Sequence, residues 1–183
     1  MGESKNFWPY IARARILKKK NRRGFGNMFR HQMDTFAILV DYGYEDPVLL
    51  KASLIHDLLE DGPRFEDITA DDIENIDGDG DAVASIVQEV TQREKDGVEE
   101  SKKDFLLRIM NSGSEKARIL KLADRIANVS TLVGTNNRKF VTRYLKETKD
   151  YILPYAKAID PKMYIELKEI IQKNIELEAN SSD

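Results

Sequence analysis

The chain contains no cysteine among its 183 residues. This absence excludes disulfide bonds, catalysis by a thiolate and every zinc site that is built on cysteine ligands. A chain without disulfides suits a reducing compartment, so we expect a cytoplasmic protein. Hydrophobic residues make up 41% and charged residues 33% of the sequence, a balance typical of globular proteins and not of disordered ones.

Long apolar segments are also absent. No run of the chain approaches the roughly 20 consecutive apolar residues that a membrane-spanning helix requires. The beginning of the chain, MGESKNFWPYIARARILKKK, lacks the continuous apolar core of a secretory signal peptide. We therefore expect no association with a membrane.

Charge is distributed unevenly, although the net charge is only −3. Residues 1–30 carry nine lysine and arginine side chains and one acid, Glu3, so this end has a charge of +8 and the remaining residues sum to −11. Such asymmetry predicts that the basic end meets phosphates or a polyanion. The alternative interpretation is the solvated basic end of a helix.

The spacing of apolar residues indicates helices along the whole chain. Strand signals are weak, because alternating β-branched runs are few and no Asn-Gly or Asp-Gly turn lies between such runs. The clearest helix is DPVLLKASLIHDLLEDG, in which Asp46 is the predicted cap, Pro47 the first helical residue and Gly62 the residue just past the end. We predict the all-α fold class.

The domain organisation follows from the absence of an internal repeat and of a long linker. The prediction is one domain over residues 1–183, with a core at about 10–160, a C-terminal helix at 161–178 and a tail at 179–183.

The acidic segment DGDGD, Asp77 to Asp81, is predicted to be a turn and helix cap and not a calcium site. Ala82 and Gln88 stand where an EF-hand loop needs glycine and a final acid.

The last two turns of the clearest helix, LIHDLLEDG, carry a histidine and three carboxylates on one side. At about 100° per residue, this ionisable side is also the side on which Leu49 and Leu50 lie in the preceding turns. The helix is therefore predicted to be apolar all round and buried before its ionisable residues begin. Buried charges need a partner or a metal ion. The ionisable residues are His56, Asp57, Glu60 and Asp61.

Further ligands must come from other segments. His31 is the only other histidine, and it is either a hydrogen-bonded core residue or a ligand. In RILKLADRIANVSTL, the side chains of Asp124, Asn128 and Thr131 share the side opposite the apolar stripe, next to a basic edge. They form either a solvent-facing polar stripe, or one ligand and two substrate-binding groups. Histidine and aspartate together suit Mn²⁺, Fe²⁺ or Zn²⁺.

This order of residues resembles a known signature. His31, then His56–Asp57, then Asp124 resembles the H…HD…D pattern of the HD-domain metal-dependent phosphohydrolases, which are all-helical. LLKASLIHDLLED is similar to the HDxxED segment of the hydrolase domain of RelA/SpoT-type enzymes and of stand-alone small alarmone hydrolases. VASIVQEVT and RILKLADRIANVSTL are similar to later blocks of that domain. The resemblance implies a stand-alone hydrolase with a compact HD-domain helical bundle.

The resemblance also implies a division of roles. The reaction would remove the 3′-pyrophosphate from guanosine tetra- or pentaphosphate (ppGpp or pppGpp), with a divalent metal, most often Mn²⁺ and otherwise Fe²⁺, Zn²⁺ or Mg²⁺. The metal ligands would be His31, His56, Asp57 and Asp124. The catalytic acids that position and activate water would be Glu60 and Asp61. The substrate-binding residues would be Arg22, Arg23, Asn128 and Thr131.

The chain departs from the family pattern at positions that, by the resemblance, would face the nucleotide and not the metal. Gln32 follows His31 where the family usually has proline, EDG replaces EDT, and Ala127 stands where an aromatic residue or histidine usually precedes Asn128. One alternative is therefore an HD phosphohydrolase that acts on another nucleotide or phosphorylated metabolite.

A second alternative is a non-catalytic helical module that binds nucleic acid through KKKNRRG. Its binding would depend strongly on salt and would need no metal. The basic run lacks the interleaved aromatic residues of single-strand binding platforms. We expect a phosphorylated nucleotide as the partner and no nucleic acid. The sequence does not indicate an oligomeric state.

Overall fold

A computed structural model describes residues 5–23, 26–135 and 137–180 of the chain. Within these ranges the protein is a bundle of α-helices with short 3-10 turns and one small hairpin, so the predicted all-α fold class is confirmed. The helices are α1 Trp8–Ala14, α2 Met28–Asp41, α3 Pro47–Ile55, α4 Leu58–Asp61, α5 Ala70–Glu74, α6 Gly80–Val90, α7 Lys102–Ser112, α8 Glu115–Ser130, α9 Arg138–Tyr151, α10 Leu153–Ile159 and α11 Pro161–Asn180. The 3-10 turns are Arg15–Lys19, Gly62–Arg64 and Leu132–Gly134.

Helix α8 occupies the centre of the bundle, where it packs against α2, α3, α6 and α11. The Ser114 side chain caps its first turn by accepting a hydrogen bond from the N–H of Ala117. Its polar side is buried together with its apolar stripe, since Asp124 and Arg125 are each only 4% exposed. For Asp124 the interpretation as part of a solvent-facing stripe is wrong, and Arg125, from the basic edge next to that stripe, is buried as well.

Helix α3 begins as predicted. The Asp46 side chain accepts a hydrogen bond from the N–H of Leu49 at 2.8 Å, and Pro47 is the first helical residue. Every residue of α3 is buried, as the apolar residues on all its sides predicted. The prediction of one continuous helix up to Gly62 is wrong, however, because α3 ends at Ile55 and α4 starts at Leu58. His56 and Asp57 form a turn between the two helices.

The DGDGD segment forms a turn at residues 77–79 and then starts α6 at Gly80, which agrees with the predicted turn. Its carboxylates surround a lysine from α3, since Nζ of Lys51 donates hydrogen bonds to Asp77 at 2.7 Å and to Asp79 at 2.5 Å. The hydroxyl of Tyr10 donates to the other oxygen of Asp77 at 2.7 Å. The Lys51 side chain is completely buried, so these partly exposed carboxylates provide the negative charge that its ammonium group needs.

A two-stranded hairpin follows α6, and the sequence interpretation missed it. Strands β1 Glu94–Lys95 and β2 Val98–Glu99 pair antiparallel. They are joined by Asp96 and Gly97, whose φ angles of 54° and 77° are typical of a type I′ turn. The Asp-Gly signal was present, but the residues around it are mostly charged and exposed and lack the β-branched pattern of a longer strand.

Helix α11 extends to Asn180, past the predicted end of the C-terminal helix at 178, and residues 181–183 of the predicted tail lie outside the described residues. Within the described ranges, no helix combines the length and the apolar character needed to cross a membrane.

Candidate metal centre and substrate cleft

The structure brings the four predicted metal ligands together from three helical segments. His31 comes from α2, His56 and Asp57 come from the turn between α3 and α4, and Asp124 comes from α8. Nε2 of His31 lies 2.9 Å from Oδ1 of Asp124 and 3.3 Å from Nε2 of His56. Oδ2 of Asp57 lies 3.3 Å from Nε2 of His56 and 3.6 Å from Nε2 of His31.

The ring orientation of His56 is fixed by the backbone. Its Nδ1 lies 2.8 Å from the carbonyl oxygen of Ser53. Because a carbonyl oxygen only accepts hydrogen bonds, Nδ1 must carry the proton and donate it. The lone pair of a neutral His56 is then on Nε2, the atom that faces His31, Asp57 and Asp124. This is the backbone contact that commonly orients a metal-binding histidine.

The electrostatics of the cluster favour a positive charge at its centre. Burial lowers the pKa of His56, but the charges of Asp57 and Asp124 outweigh this effect and raise it to about 9. Burial also disfavours the charged form of Asp124 and so raises its pKa. The ammonium of Lys121 and the two imidazoles outweigh burial and hold the pKa of Asp124 well below its usual range. Both carboxylates are therefore ionised, and a proton or another cation offsets their charge.

The donor set fits a divalent metal ion. One ligand atom each from His31, His56 and Asp124 lies within 4.8 Å of the others, and all three residues are buried. Asp57 is partly open to solvent and adds a second carboxylate on the same side. Two imidazoles and two carboxylates suit Mn²⁺, Fe²⁺ or Zn²⁺. The roles of these residues as ligands stay a prediction, and the geometry and chemistry are compatible with it.

Glu60 and Asp61, the two predicted catalytic acids, lie on α4 and line the same cavity as His31, Asp57 and Asp124. Oε1 of Glu60 accepts a hydrogen bond from the N–H of Gln92 at 2.6 Å. Burial and the charge of Asp57 raise the pKa of Glu60 above its usual value. The Asp61 carboxylate is buried and forms an ion pair with Lys20.

Two adjoining cavities form a cleft over the cluster. The larger has a volume of about 460 Å³ and contains the candidate metal ligands except His56 in its lining. The smaller has a volume of about 200 Å³. Both are lined by Lys20, Met28, Asn128, Phe140 and Tyr144, so these residues mark the boundary between them.

The four predicted substrate-binding residues line the smaller cavity. Arg22 donates a hydrogen bond to Oδ1 of Asn128 at 2.7 Å, and Asn128 donates to Oδ1 of Asp124 at 2.5 Å. This chain of contacts connects the basic segment before α2 to the candidate metal centre. The guanidinium of Arg23 lies 4.6 Å from the ring centre of Phe140. The hydroxyl of Thr131 donates to the carbonyl oxygen of Asn128 at 3.1 Å.

Sequence reasoning missed several residues of the cleft. Arg125 had been noted only as part of a basic edge, yet it is buried in the larger cavity, 4.3 Å from the ring centre of Tyr144. Its Nη1 donates to Oγ1 of Thr148 at 3.3 Å. No motif marks Phe140, Tyr144 and Arg143, because they lie on an amphipathic helix, α9, whose side toward the cleft is set only by tertiary packing. The other missed cations are Lys20, Lys102 and Lys121.

Another cavity lies away from the cluster, between α1 and the region around α5, and has a volume of about 550 Å³. Two of its charged residues, Arg13 and Asp72, form an ion pair at 3.2 Å. It contains no histidine and no cluster of metal-binding type among its described lining. The candidate site is therefore identified by its chemistry and not by its size.

Comparison with known proteins supports the fold. No protein-family model matches the chain, and no curated protein matches it. Among solved structures, the chain is similar to a metazoan ortholog of SpoT that hydrolyses ppGpp, with a TM-score of 0.79 and 22% sequence identity. The similarity covers 94% of this chain and 97% of that chain. The chain thus shares the fold of that protein, which confirms the predicted helical bundle.

Proposed function

We propose that this protein is a metal-dependent phosphohydrolase that removes the 3′-pyrophosphate from ppGpp or pppGpp. The observation that carries the proposal is the cluster of two imidazoles and two carboxylates at the base of a cleft that also contains lysine and arginine side chains. The similar solved structure adds support, because that protein hydrolyses ppGpp.

The metal would be held by His31, His56, Asp57 and Asp124, and we propose Mn²⁺ as the ion. Both imidazoles direct Nε2 at the centre of the cluster, and both carboxylates are ionised there. A divalent ion bound at such a site supplies Lewis-acid polarisation of a phosphoryl oxygen and lowers the pKa of water.

Glu60 and Asp61 would orient and deprotonate the attacking water. The Glu60 carboxylate is fixed by the N–H of Gln92, and its raised pKa makes it a better proton acceptor than an ordinary glutamate. The Asp61 carboxylate is held by Lys20. Lys20 lines both cavities, so its ammonium group can also contact a phosphate of the substrate.

The two cavities suit the two parts of the substrate. We propose that the nucleoside occupies the smaller cavity, where Phe140 and Tyr144 offer aromatic surface and Asn128 offers hydrogen bonds. Arg22 and Arg23 at its edge would contact the base and the 5′-phosphates, because guanidinium groups bind phosphate oxygens with two parallel hydrogen bonds. The 3′-pyrophosphate would lie in the larger cavity beside the metal. Its charge would be balanced by Lys102, Lys121, Arg125 and Arg143.

The reaction is a hydrolysis. The oxygen of water forms a bond to the phosphorus next to the ribose, and the bond between that phosphorus and the 3′-oxygen breaks. Glu60 accepts a proton from the water, and the 3′-oxygen takes up one proton, from Glu60 or from solvent, to become a hydroxyl. From ppGpp the products are GDP and pyrophosphate, and from pppGpp they are GTP and pyrophosphate.

The alternative of another phosphorylated substrate stays open, because Gln32 and Ala127 depart from the family pattern near the nucleotide. The alternative of a nucleic-acid module receives less support. Three members of the basic run, Lys20, Arg22 and Arg23, line the smaller cavity and contact residues of the cleft.

The test is a substrate panel with purified protein at saturating Mn²⁺. We expect release of pyrophosphate and an equal amount of GDP from ppGpp, and no release from GTP, GDP or GMP. Asp124→Asn should remove the activity, while Asp34→Asn, at an exposed position of α2, should keep it. Turnover of ordinary nucleotides without turnover of ppGpp would support a phosphohydrolase but rule out ppGpp as its substrate. No turnover of any nucleotide would rule out the proposed enzymatic activity.

A further inference from the structure

The turn at His56 and Asp57 interrupts a helix whose sequence favours continuation. In an uninterrupted α-helix, the N–H of Asp57 would donate to the carbonyl oxygen of Ser53. That carbonyl accepts a hydrogen bond from Nδ1 of His56, and Asp57 has φ and ψ angles of −95° and 5°. The N–H of Asp57 donates instead to a side chain of another helix, Oε1 of Gln32, at 3.4 Å.

Gln32 contacts the same aspartate with its other end. Its Nε2 donates to Oδ2 of Asp57 at 2.8 Å. One amide therefore binds both the backbone and the carboxylate of Asp57, and this assignment of the amide is unambiguous because only nitrogen can donate to a carboxylate. Gln32 lies next to His31 on α2 and is completely buried.

The oxygen that Gln32 contacts is the one that faces the cluster. Oδ2 of Asp57 lies 3.3 Å from Nε2 of His56, while the Asp57 side chain is otherwise partly open to the cavity. Without Gln32, the carboxylate could rotate into the cavity, where water competes for it. The nitrogen and the oxygen of the buried Gln32 amide are both hydrogen-bonded to Asp57, so Gln32 restricts that rotation in the metal-free protein.

We infer that Gln32 is a positioning residue that fixes Asp57 as a metal ligand. It holds the turn between α3 and α4 through the Asp57 N–H and orients the carboxylate through Oδ2. This inference rests on the metal centre of the proposed function and extends it to a residue that binds neither metal nor substrate. Removal of such an outer contact commonly weakens metal affinity by about 10–100-fold.

The experiment measures Mn²⁺ binding to metal-free protein by calorimetry, with no nucleotide present. Gln32→Met keeps the length of the side chain and loses both hydrogen bonds. Gln32→Asn keeps the amide but is one methylene too short to hold both contacts, and it serves if Gln32→Met does not fold. The matched control is Gln88→Met, at an exposed position of α6. Circular dichroism on heating gives the stability of each metal-free variant.

We expect Gln32→Met to weaken Mn²⁺ affinity by about 10–100-fold, Gln32→Asn to weaken it less, and Gln88→Met to leave it unchanged. In an Asp57→Ala background, Gln32→Met should cause little further loss, because Gln32 acts through Asp57. Unchanged Mn²⁺ affinity in folded Gln32→Met and Gln32→Asn would overturn the inference, even if both variants melt earlier, since that result describes a purely structural glutamine.

The result is separable from the proposed function. Wild-type protein that binds Mn²⁺ but does not hydrolyse ppGpp would reject the substrate and still allow Gln32 to be tested by the loss of affinity. Wild-type protein that hydrolyses ppGpp while the Gln32 variants bind Mn²⁺ normally would reject the role of Gln32 alone. Wild-type protein that binds no Mn²⁺ would overturn the inference together with the metal centre.

Discussion

The Nε2 atoms of His31 and His56 lie 3.3 Å apart in the interior of the bundle. Two imidazole lone pairs at this distance would repel each other, so either a proton or a metal ion must lie between the two nitrogens. The carboxylates of Asp57 and Asp124 add negative charge at the same point. A cation between the two imidazoles would therefore be stabilised by both carboxylates.

Mn²⁺ should stabilise the folded protein through this pair. Binding at a concentration of 100 times the dissociation constant raises the free energy of unfolding by about 2.7 kcal/mol when the ion binds only the folded state. We expect that increase in wild-type protein and in Asp34→Asn, and its loss in Asp124→Asn. Urea unfolding with and without Mn²⁺ measures it, and equal stabilisation of all three proteins would place the ion elsewhere.

Glu60→Gln should lower kcat and leave metal binding intact. The amide keeps the size of the side chain but cannot accept the proton of water, and general-base catalysis typically contributes about 10²–10⁴-fold. Steady-state kinetics with ppGpp give kcat, and calorimetry gives the Mn²⁺ affinity. Glu66→Gln, at an exposed position after α4, is the matched control. A Glu60→Gln enzyme with wild-type kcat would assign the base to another residue.

Arg125→Met should weaken the binding of the pyrophosphate product. Arg125 is a buried guanidinium in the larger cavity, and hydrogen bonds to charged groups contribute about 1.5–3 kcal/mol. The inhibition constant of pyrophosphate should therefore rise by about 10–100-fold, with no such rise in Arg30→Met, which changes an exposed arginine of α2. Circular dichroism checks that the loss of the contact with Tyr144 leaves the fold intact. An unchanged inhibition constant would remove Arg125 from the phosphate site.

The Lys51 network should respond asymmetrically to mutation. Asp77→Asn/Asp79→Asn leaves a completely buried ammonium unpaired, a change that typically costs about 3–5 kcal/mol. Lys51→Met should cost less, because both carboxylates are partly exposed and can be solvated. Urea unfolding of metal-free protein compares the variants. If Lys51→Met unfolds more easily than Asp77→Asn/Asp79→Asn, the carboxylates, and not the lysine, are the buried charges that need a partner.

The same network predicts how stability changes with pH. Burial raises the pKa of Asp77, but hydrogen bonds from Lys51 and Tyr10 outweigh burial and lower it below the usual value. A carboxyl with a lowered pKa stabilises the folded state above its unfolded pKa, about 3.9, and loses that contribution as pH falls through the folded pKa. The free energy of unfolding should therefore decrease below about pH 4, and less steeply in Lys51→Met than in wild type. Equal acid slopes would contradict the assignment.

Much of this arrangement could be predicted from the sequence. Leu49 and Leu50, on the ionisable side of α3, indicated that this helix is buried, and the structure confirms it. His31 was a candidate because it is the only other histidine, and Asp124 because it lies on the polar side of a predicted helix. Their meeting depends on α2 and α8 packing together, which periodicity within one helix does not specify.

The remaining features depend on contacts between distant residues. The end of α3 at Ile55 was missed because periodicity cannot detect the hydrogen bonds of His56 to Ser53 and of Asp57 to Gln32. Gln32 itself stood out only as a departure from proline in the family pattern. Phe140 and Tyr144 of the cleft lie on α9, more than a hundred positions after the basic segment that they face, and no local motif marks them.

The most direct test of the metal centre is a titration of Mn²⁺ into metal-free protein in the presence of ppGpp, with pyrophosphate and GDP measured together. We predict no release without the ion, a saturable increase as the ion is added, equal amounts of the two products, and no activation of His56→Ala. Release of pyrophosphate from ppGpp without any metal, or full activation of His56→Ala by Mn²⁺, would contradict the proposal that His31, His56, Asp57 and Asp124 hold the catalytic ion.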